Sequence, residues 1–305
     1  MSKRTKHLVE YFAVRAMGGF VNLLPYRLAA FIGWVLARAS FCVIGKRKAK
    51  ARKRVKEVFG ADIPESEVSR IVWKSWLNVV LTATELMRIS RVTLSMAKKV
   101  SQCGDAMDRL TTHRDTGVGA ILALPHMGSW EMAAATARTH GVPLFTIAAP
   151  QKNTLVDQYI NDTRRKAGTP VIMRGDGTIR QVIRMLRKGN VLAILPDLRR
   201  RVAAVKVRFL GAEANVANGM AFFAKMGKVP IFPCYITRKG LTRHALHVLD
   251  PVYPEPELQR DADIQRMTSE VFSIFDKAIR ENPDQWFWYN KRWVLDPVEE
   301  TDPPA

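Results

Sequence analysis

The pattern of apolar and polar positions changes character near residue 118. Before it, apolar residues recur at helical spacing. Leu28–Ala37 is an unbroken apolar run, Arg38 interrupts it, and the apolar texture resumes over Ala39–Gly45. Ser66–Ile89, led in by Pro64 and Glu65, predicts a long amphipathic helix. After Val118 the apolar runs shorten to strand length: Ala120–Pro125, Leu144–Ala149, Val171–Arg174, Val191–Pro196, Val205–Leu210, Pro230–Ile236 and Ala245–Leu249. Helical patterns at Trp130–Thr139, Leu155–Lys166, Thr178–Lys188 and Asn218–Met226 separate most of them, and Asp263–Glu281 predicts a helix near the end. Strand–helix alternation predicts an α/β fold with a mostly parallel central sheet flanked by helices, preceded by a helical membrane-proximal N-terminal region. The expected organisation is an apolar and polybasic helical region over 1–60, an α/β domain over 61–295 that stays helical to about 117, and a loose acidic, Pro-rich tail over 296–305.

Charge sharpens this picture. The 305 residues carry 48 Lys and Arg against 28 Asp and Glu, a net +20, while 47% hydrophobic content excludes a disordered basic polypeptide. Met1–Lys56 holds fourteen of the basic residues and one acid, Glu10, so +13 of the excess sits in the first fifth of the chain. The densest part, Lys46 to Lys56, follows the apolar segment directly. That order suits a cytoplasmic membrane surface, where anionic headgroups attract each Lys or Arg by about 1 kcal/mol. Leu28–Ala37 is short for a transmembrane helix, and with Arg38 inside, residues 28–45 predict a marginal span or an interfacial helix. The plainer alternative is a buried core helix followed by a solvated basic one. No helix-turn-helix, RNA-recognition or zinc pattern accompanies the charge, so nucleic acid is not the expected partner. Three scattered cysteines (Cys42, Cys103, Cys234) predict neither a disulfide framework nor a structural zinc site.

One histidine of six stands apart. His126 ends an apolar run in ILALP-His126-Met127-Gly128-Ser129-Trp130-Glu131. The crevice beyond the carboxyl end of a strand is where open α/β sheets bind ligands. Gly128 permits close backbone approach, Ser129 suits a helix N-cap, and Glu131 falls in the first turn, where the helix dipole favours the carboxylate. A carboxylate beside an imidazole fixes its tautomer and stabilises the imidazolium, which is the arrangement of a general base. His-x4-Glu spacing alone is also that of a turn histidine beside a helix-start glutamate. Neither a HExxH metal motif nor a Gly-x-Ser-x-Gly nucleophile elbow is present.

Taken together, several segments resemble the bacterial lipid A biosynthesis acyltransferases, the late lauroyl/myristoyl transferases, within the lysophospholipid acyltransferase superfamily and its His-x4-Asp/Glu motif. The resemblance runs from about residue 10 to 294. It is carried by the N-terminal apolar and basic segments, His126-MGSW-Glu131, Asp157-QYINDT-Arg164, the ILPD block ending at Asp197, Phe209-Leu-Gly211 with Asn218-Gly219 and Pro230, and the aromatic close NPDQWFWYNKRW. It implies acyl transfer from an acyl carrier protein thioester to a hydroxyl of a lipid A precursor or related glycolipid, with neither metal nor organic cofactor. His126 would be the base and Glu131 its orienting carboxylate. Substrate contacts would come from Gly128, Ser129, Arg164, Asp197 and Gly211. Backbone N–H groups near Gly128 would steady the oxyanion, and Arg164 would meet a phosphate, its plainer role being a solvated helix arginine. Asp197 would position Arg164 or a substrate hydroxyl, or close the strand end. Trp286, Phe287, Trp288, Tyr289 and Trp293 would be core packing, part of an acyl groove, or an interfacial anchor. The chain departs from the family pattern at Leu198 and Arg199–Arg201, which follow Asp197 where Gln is common, and at Asn290, which replaces a histidine; both lie where an acceptor would be recognised. Other acceptors (a phosphatidylinositol mannoside, an ornithine-type lipid, a lysophospholipid) and a non-catalytic basic membrane-binding protein of the same fold are the alternatives.

Overall fold

A computed structural model describes residues 2–200 and 204–296. The chain begins with four helices, α1 (Lys3–Leu23), α2 (Tyr26–Val43), α3 (Gly45–Phe59) and α4 (Glu65–Met87). Pro25 and Pro64 stand at the starts of α2 and α4, where a missing N–H costs nothing. Next come α5 (Leu94–Val100), the two-residue strand β1 (Ser101–Gln102) and α6 (Ala106–Asp115). Then strands and helices alternate: β2 (Ala120–Ala123), α7 (Trp130–Thr139), β3 (Leu144–Ala148), α8 (Thr154–Lys166), β4 (Val171–Met173), α9 (Thr178–Arg187) and β5 (Val191–Ile194). The chain closes with β6 (Ala204–Phe209), β7 (Ala212–Ala217), α10 (Gly219–Gly227), β8 (Ile231–Lys239), β9 (Arg243–Val248) and α11 (Arg260–Glu281).

Seven strands form one sheet in the order β1-β9-β8-β2-β5-β3-β4, and every neighbouring pair is parallel except β8–β9. Successive strand residues face opposite ways. Ile121, Ala123, Phe145, Leu192 and Ile231 therefore enter one core with α10, α11 and the aromatic close. Ala120, Leu122, Leu144, Val191 and Ala193 enter a second core, under α5, α6 and α7 on the other face. Burial on both faces is why these strands read as continuous apolar runs.

Two strand expectations change. Val205–Leu210 does not join the sheet: β6 pairs antiparallel with β7 as a separate hairpin. Its VKVRF pattern alternates apolar and charged residues, which suits a strand with one wet face, and β6 packs that apolar face with α11 in the first core. The second hairpin strand, β7, was not expected, because AEANVA is only weakly apolar.

The N-terminal helices lie against this core. α2 buries only Ala29, Ala30, Gly33 and Ala37, the small residues that let it approach α4 closely. A Cβ on Gly33 would stand 2.9 Å from the Thr84 hydroxyl. Leu28, Phe31, Trp34 and Val35 remain exposed, so α2 is not a core helix. It is the one helix among the described residues long and apolar enough to cross a membrane. Much of the polybasic α3 turns out to be structural. Arg52 and Lys56 pair with Glu65, and Arg54 donates to the carbonyls of Trp288 and Asn290 while stacking over Trp293. Lys46, Arg47, Lys50 and Lys53 stay exposed. Of the expected tail, residues 297–305 lie outside the described residues.

Candidate active site

The sheet's connections define a crevice. From β2 the chain crosses via α7 to β3, on the β5 side; from β5 it returns via α10 to β8, on the opposite side of β2. The two crossovers cover opposite faces, so the loops after β2 and β5 diverge at their carboxyl ends. Ligands bind in such openings.

His126 and Asp197 sit there side by side. The register pairs Ala123 with Ile194, and each functional residue lies three positions beyond its partner of that pair. Equal offsets from adjacent parallel strands bring the two loops together. His126 Nδ1 donates to Asp197 Oδ1 at 2.6 Å. The other oxygen, Oδ2, accepts the His126 backbone N–H at 2.7 Å and the Trp286 indole N–H at 2.8 Å. Burial pushes the Asp197 carboxyl up, but the imidazole and these hydrogen bonds outweigh it and hold the carboxyl below its ordinary range. An ionised carboxylate only accepts, so the proton sits on Nδ1 and the Nε2 lone pair is available. Nε2 has no protein partner among the described residues, and the side chain is 20% exposed. Trp130 stacks edge-on against the ring, at 5.2 Å between centroids.

The loop that carries His126 is fixed from every side. Gly128 has φ +55°, and a Cβ there would stand 2.0 Å from the Ile236 carbonyl oxygen. Its N–H donates to Gln285 O, and its carbonyl accepts from Thr82 Oγ1. The His126 carbonyl accepts from Phe287 N–H. Ser129 caps α7 through Met132 N–H, and its hydroxyl donates to Glu85 at 2.5 Å. Glu85 is buried, as are its partners Arg238 (two hydrogen bonds of 2.7 Å) and His244. Tyr26, at the start of α2, also donates to Glu85. Burial would raise the Glu85 carboxyl, but Arg238 and His244 reverse that and hold it well below the carboxylate range.

Several sequence expectations need correction on this geometry. The carboxylate on His126 is Asp197, not Glu131. Glu131 is buried at the start of α7 and pairs with Arg164 of α8 at 2.5 Å. Arg164 is thus neither solvated nor in contact with Asp197. Burial opposes its charge, but Glu131 and Asp157 more than compensate. Gly128 N–H is already bonded to Gln285, so it is no free oxyanion donor. Ser129 is fully buried and supports the loop from behind. Gly211, with Leu210, turns the β6–β7 hairpin and lines a separate cleft of about 800 Å³ with Arg208, Asp276 and Arg280. The aromatic close is core: Trp286, Trp288 and Trp293 are buried and mutually packed within 5.1–5.7 Å. Among the described residues no three His, Cys, Asp or Glu side chains group as metal ligands. Sequence reasoning missed the roles of Trp286, Glu85 and Arg238. The signal for the last two was a lone charge inside an apolar helix face and another at the end of an apolar strand.

The Glu131–Arg164 pair makes a stability prediction. Glu131→Gln leaves a mostly buried guanidinium short of its partner and is expected to cost about 1–3 kcal/mol in urea unfolding. Glu131→Leu with Arg164→Met together should cost less than the two single changes added. Additive losses would show that the two side chains do not act as a pair.

A mostly parallel α/β sheet with a histidine–aspartate pair at its switch point defines an α/β protein equipped for proton transfer. The sequence model of the bacterial lipid A biosynthesis acyltransferases matches residues 1–294, and the chain belongs to that family. It is 24% identical to a lipid A biosynthesis acyltransferase of Haemophilus influenzae (strain ATCC 51907 / DSM 11121 / KW20 / Rd), over 80% of this chain and 76% of that protein. It is 21% identical to the lipid A biosynthesis palmitoleoyltransferase of Escherichia coli (strain K12), over 97% and 94%. A phosphatidylinositol mannoside acyltransferase of Mycobacterium tuberculosis (strain CDC 1551 / Oshkosh) is 24% identical over 66% of this chain; the match spans 63% of that relative, less than two thirds of its length.

Proposed function

We propose that this protein is a membrane-surface O-acyltransferase that moves a fatty acyl group from an acyl carrier protein thioester to a hydroxyl of a lipid A precursor or related glycolipid. The observation that carries this reading is the His126–Asp197 pair at the sheet's switch point in a chain of this family. Relatives named for lipid A and for phosphatidylinositol mannoside both support a glycolipid acceptor.

A hydroxyl is a weak nucleophile at neutral pH. Nε2 of His126 takes its proton as the oxygen attacks the thioester carbonyl carbon and the C–O bond forms. Asp197 stabilises the imidazolium. The tetrahedral intermediate carries an oxyanion, and the amides of Trp130 and Glu131, which open α7 just after His126 and make no intrahelical bond, are candidate donors to it. When the intermediate collapses, the C–S bond breaks and His126 returns the proton to the departing sulfur. The exposed apolar side chains of α1 (Leu8, Val9, Phe12, Phe20) and α2 support a chain lying in a membrane surface, with Lys46, Arg47, Lys50 and Lys53 available to anionic headgroups.

The test is turnover of the full chain with a labelled acyl group on acyl carrier protein and a detergent-dispersed glycolipid, read by mass spectrometry of the lipid product. His126→Ala is expected to lower the rate about 10²–10⁴-fold, the range of general-base catalysis. Transfer by His126→Ala within a factor of three of wild type would sink the reading.

A further inference from the structure

Three arginines gather at the same edge of the sheet as His126 and have no role so far. Arg174 follows β4, with its N–H bonded to Ala148 O. Arg200 lies three residues beyond Asp197 and is tied by its N–H to Asn215 O of β7. Arg292 is brought in by the aromatic close, its carbonyl facing Arg199 N–H at 3.4 Å. β2, β5, β3 and β4 run parallel, so the segments that leave them emerge on one side. Three residues of chain span at most about 11 Å, so Arg200 stays within a small molecule's length of the histidine–aspartate pair.

The cluster is short of negative charge. Among the described residues, no carboxylate forms an ion pair with Arg174, Arg200 or Arg292, whereas Arg52, Arg70, Arg164, Arg238 and Arg266 all have carboxylate partners. Arg200 is half-buried, and its Nε is buried with no hydrogen-bond partner. Burial lowers the Arg200 pKa, and repulsion from Arg174 and from Arg292 lowers it further, in keeping with the backbone placement of both beside Arg200. A half-buried guanidinium with an unused N–H, flanked on neighbouring segments by two more arginines that lack carboxylate partners, matches the oxygens of a phosphoester, which accept paired hydrogen bonds and supply the missing charge.

We propose that Arg174, Arg200 and Arg292 form a phosphate subsite beside the reaction centre, which holds a phosphoester of one of the two substrates while its hydroxyl or thioester lies at His126. The subsite's link to catalysis rests on the acyltransferase reading above; its affinity for phosphate does not. The phosphoester is either on the acceptor headgroup or in the pantetheine arm of the carrier.

Two measurements test it. In the first, the full chain is titrated with inorganic phosphate at low ionic strength and followed by ³¹P NMR. A triple variant, Arg174→Gln, Arg200→Gln, Arg292→Gln, is compared with a control of equal charge, Lys98→Gln, Lys99→Gln, Lys239→Gln, all exposed positions. The cluster variant is expected to bind at least tenfold more weakly than the control; equal affinity overturns the subsite. Arg174→Gln alone, at an exposed position, should give about a threefold loss and guards against a folding defect in the triple variant. In the second, KM is measured for the carrier and for phosphorylated and dephosphorylated acceptors. A rise of about tenfold confined to the phosphorylated acceptor assigns the phosphate to the acceptor, and a rise for the carrier assigns it to the donor. No change in either KM in an active variant overturns the subsite's role in catalysis. If wild type transfers no acyl group, or His126→Ala transfers it normally, the acyltransferase reading fails while the phosphate titration still decides the subsite.

Discussion

Asp197→Asn is expected to lower kcat about 10⁴-fold while the protein stays folded and binds its substrates. The size follows the loss seen when a catalytic histidine is left in the wrong tautomer. Asp197 Oδ2 accepts two N–H groups, from the His126 backbone and the Trp286 indole. An asparagine must place its carbonyl oxygen there, because its NH₂ would face two donors. The NH₂ then points at His126 Nδ1, which must accept, and the ring proton moves to Nε2. A protonated Nε2 takes no proton from a hydroxyl. The check is a kcat and KM comparison of wild type and Asp197→Asn, with ¹⁵N chemical shifts of the His126 ring to read the tautomer. An Nδ1-protonated ring with near-normal kcat would contradict the assignment. Glu131→Gln, by contrast, should leave the ring tautomer unchanged, since Glu131 faces Arg164.

Arg238→Met should produce the largest loss of stability, about 3–5 kcal/mol, because it strands the Glu85 carboxylate in the interior. Both side chains are 3% exposed, and the pair also receives Tyr26 and Ser129. Its pH dependence has a definite sign. In wild type the folded pKa of Glu85 lies below the unfolded value of about 4.3, so the pair's contribution is complete above that pH and fades as pH falls through the lowered folded value. Without Arg238, burial is opposed only by His244 and the hydrogen bonds from Tyr26 and Ser129, and the Glu85 pKa is expected to rise. Glu85 then takes up a proton on folding, and the deficit relative to wild type should shrink as the solution is made acidic. Urea midpoints measured between neutral and mildly acidic pH check this. A deficit that is constant across the range would mean Glu85 is not the stranded charge. Because Glu85 also holds Ser129, the N-cap of α7, the variant should loosen the His126 loop as well.

Local periodicity carried most of the architecture. α7 spans Trp130–Thr139 as its pattern predicts, and the apolar runs at Ala120, Leu144, Val171 and Val191 all became parallel strands. His126 could be singled out because an apolar run ending in histidine and glycine is a strand-end signal. The β6–β7 hairpin could not be told from a sheet strand, since a single strand's pattern does not say which partner it pairs with. The division of the N-terminal basic residues is hidden for a similar reason: nothing in the order of residues reveals that Arg52, Arg54 and Lys56 fold back onto Glu65 and the Trp288–Asn290 backbone while Lys46, Arg47, Lys50 and Lys53 stay exposed.

The sequence by itself determined most of the helices, the core strands of the sheet, the α/β class and the family, and it placed His126 at a strand end. Only the tertiary structure decided which carboxylate lies against it. Glu131 is five positions away, but the helix that begins at Trp130 places its side chain against α8 and Arg164. Asp197 is 71 positions away, yet the parallel β2–β5 register sets it beside the ring. Local spacing fixes which residues share a helix face. Strand pairing fixes which loops meet, and that pairing is settled by the burial of both sheet faces across the whole chain.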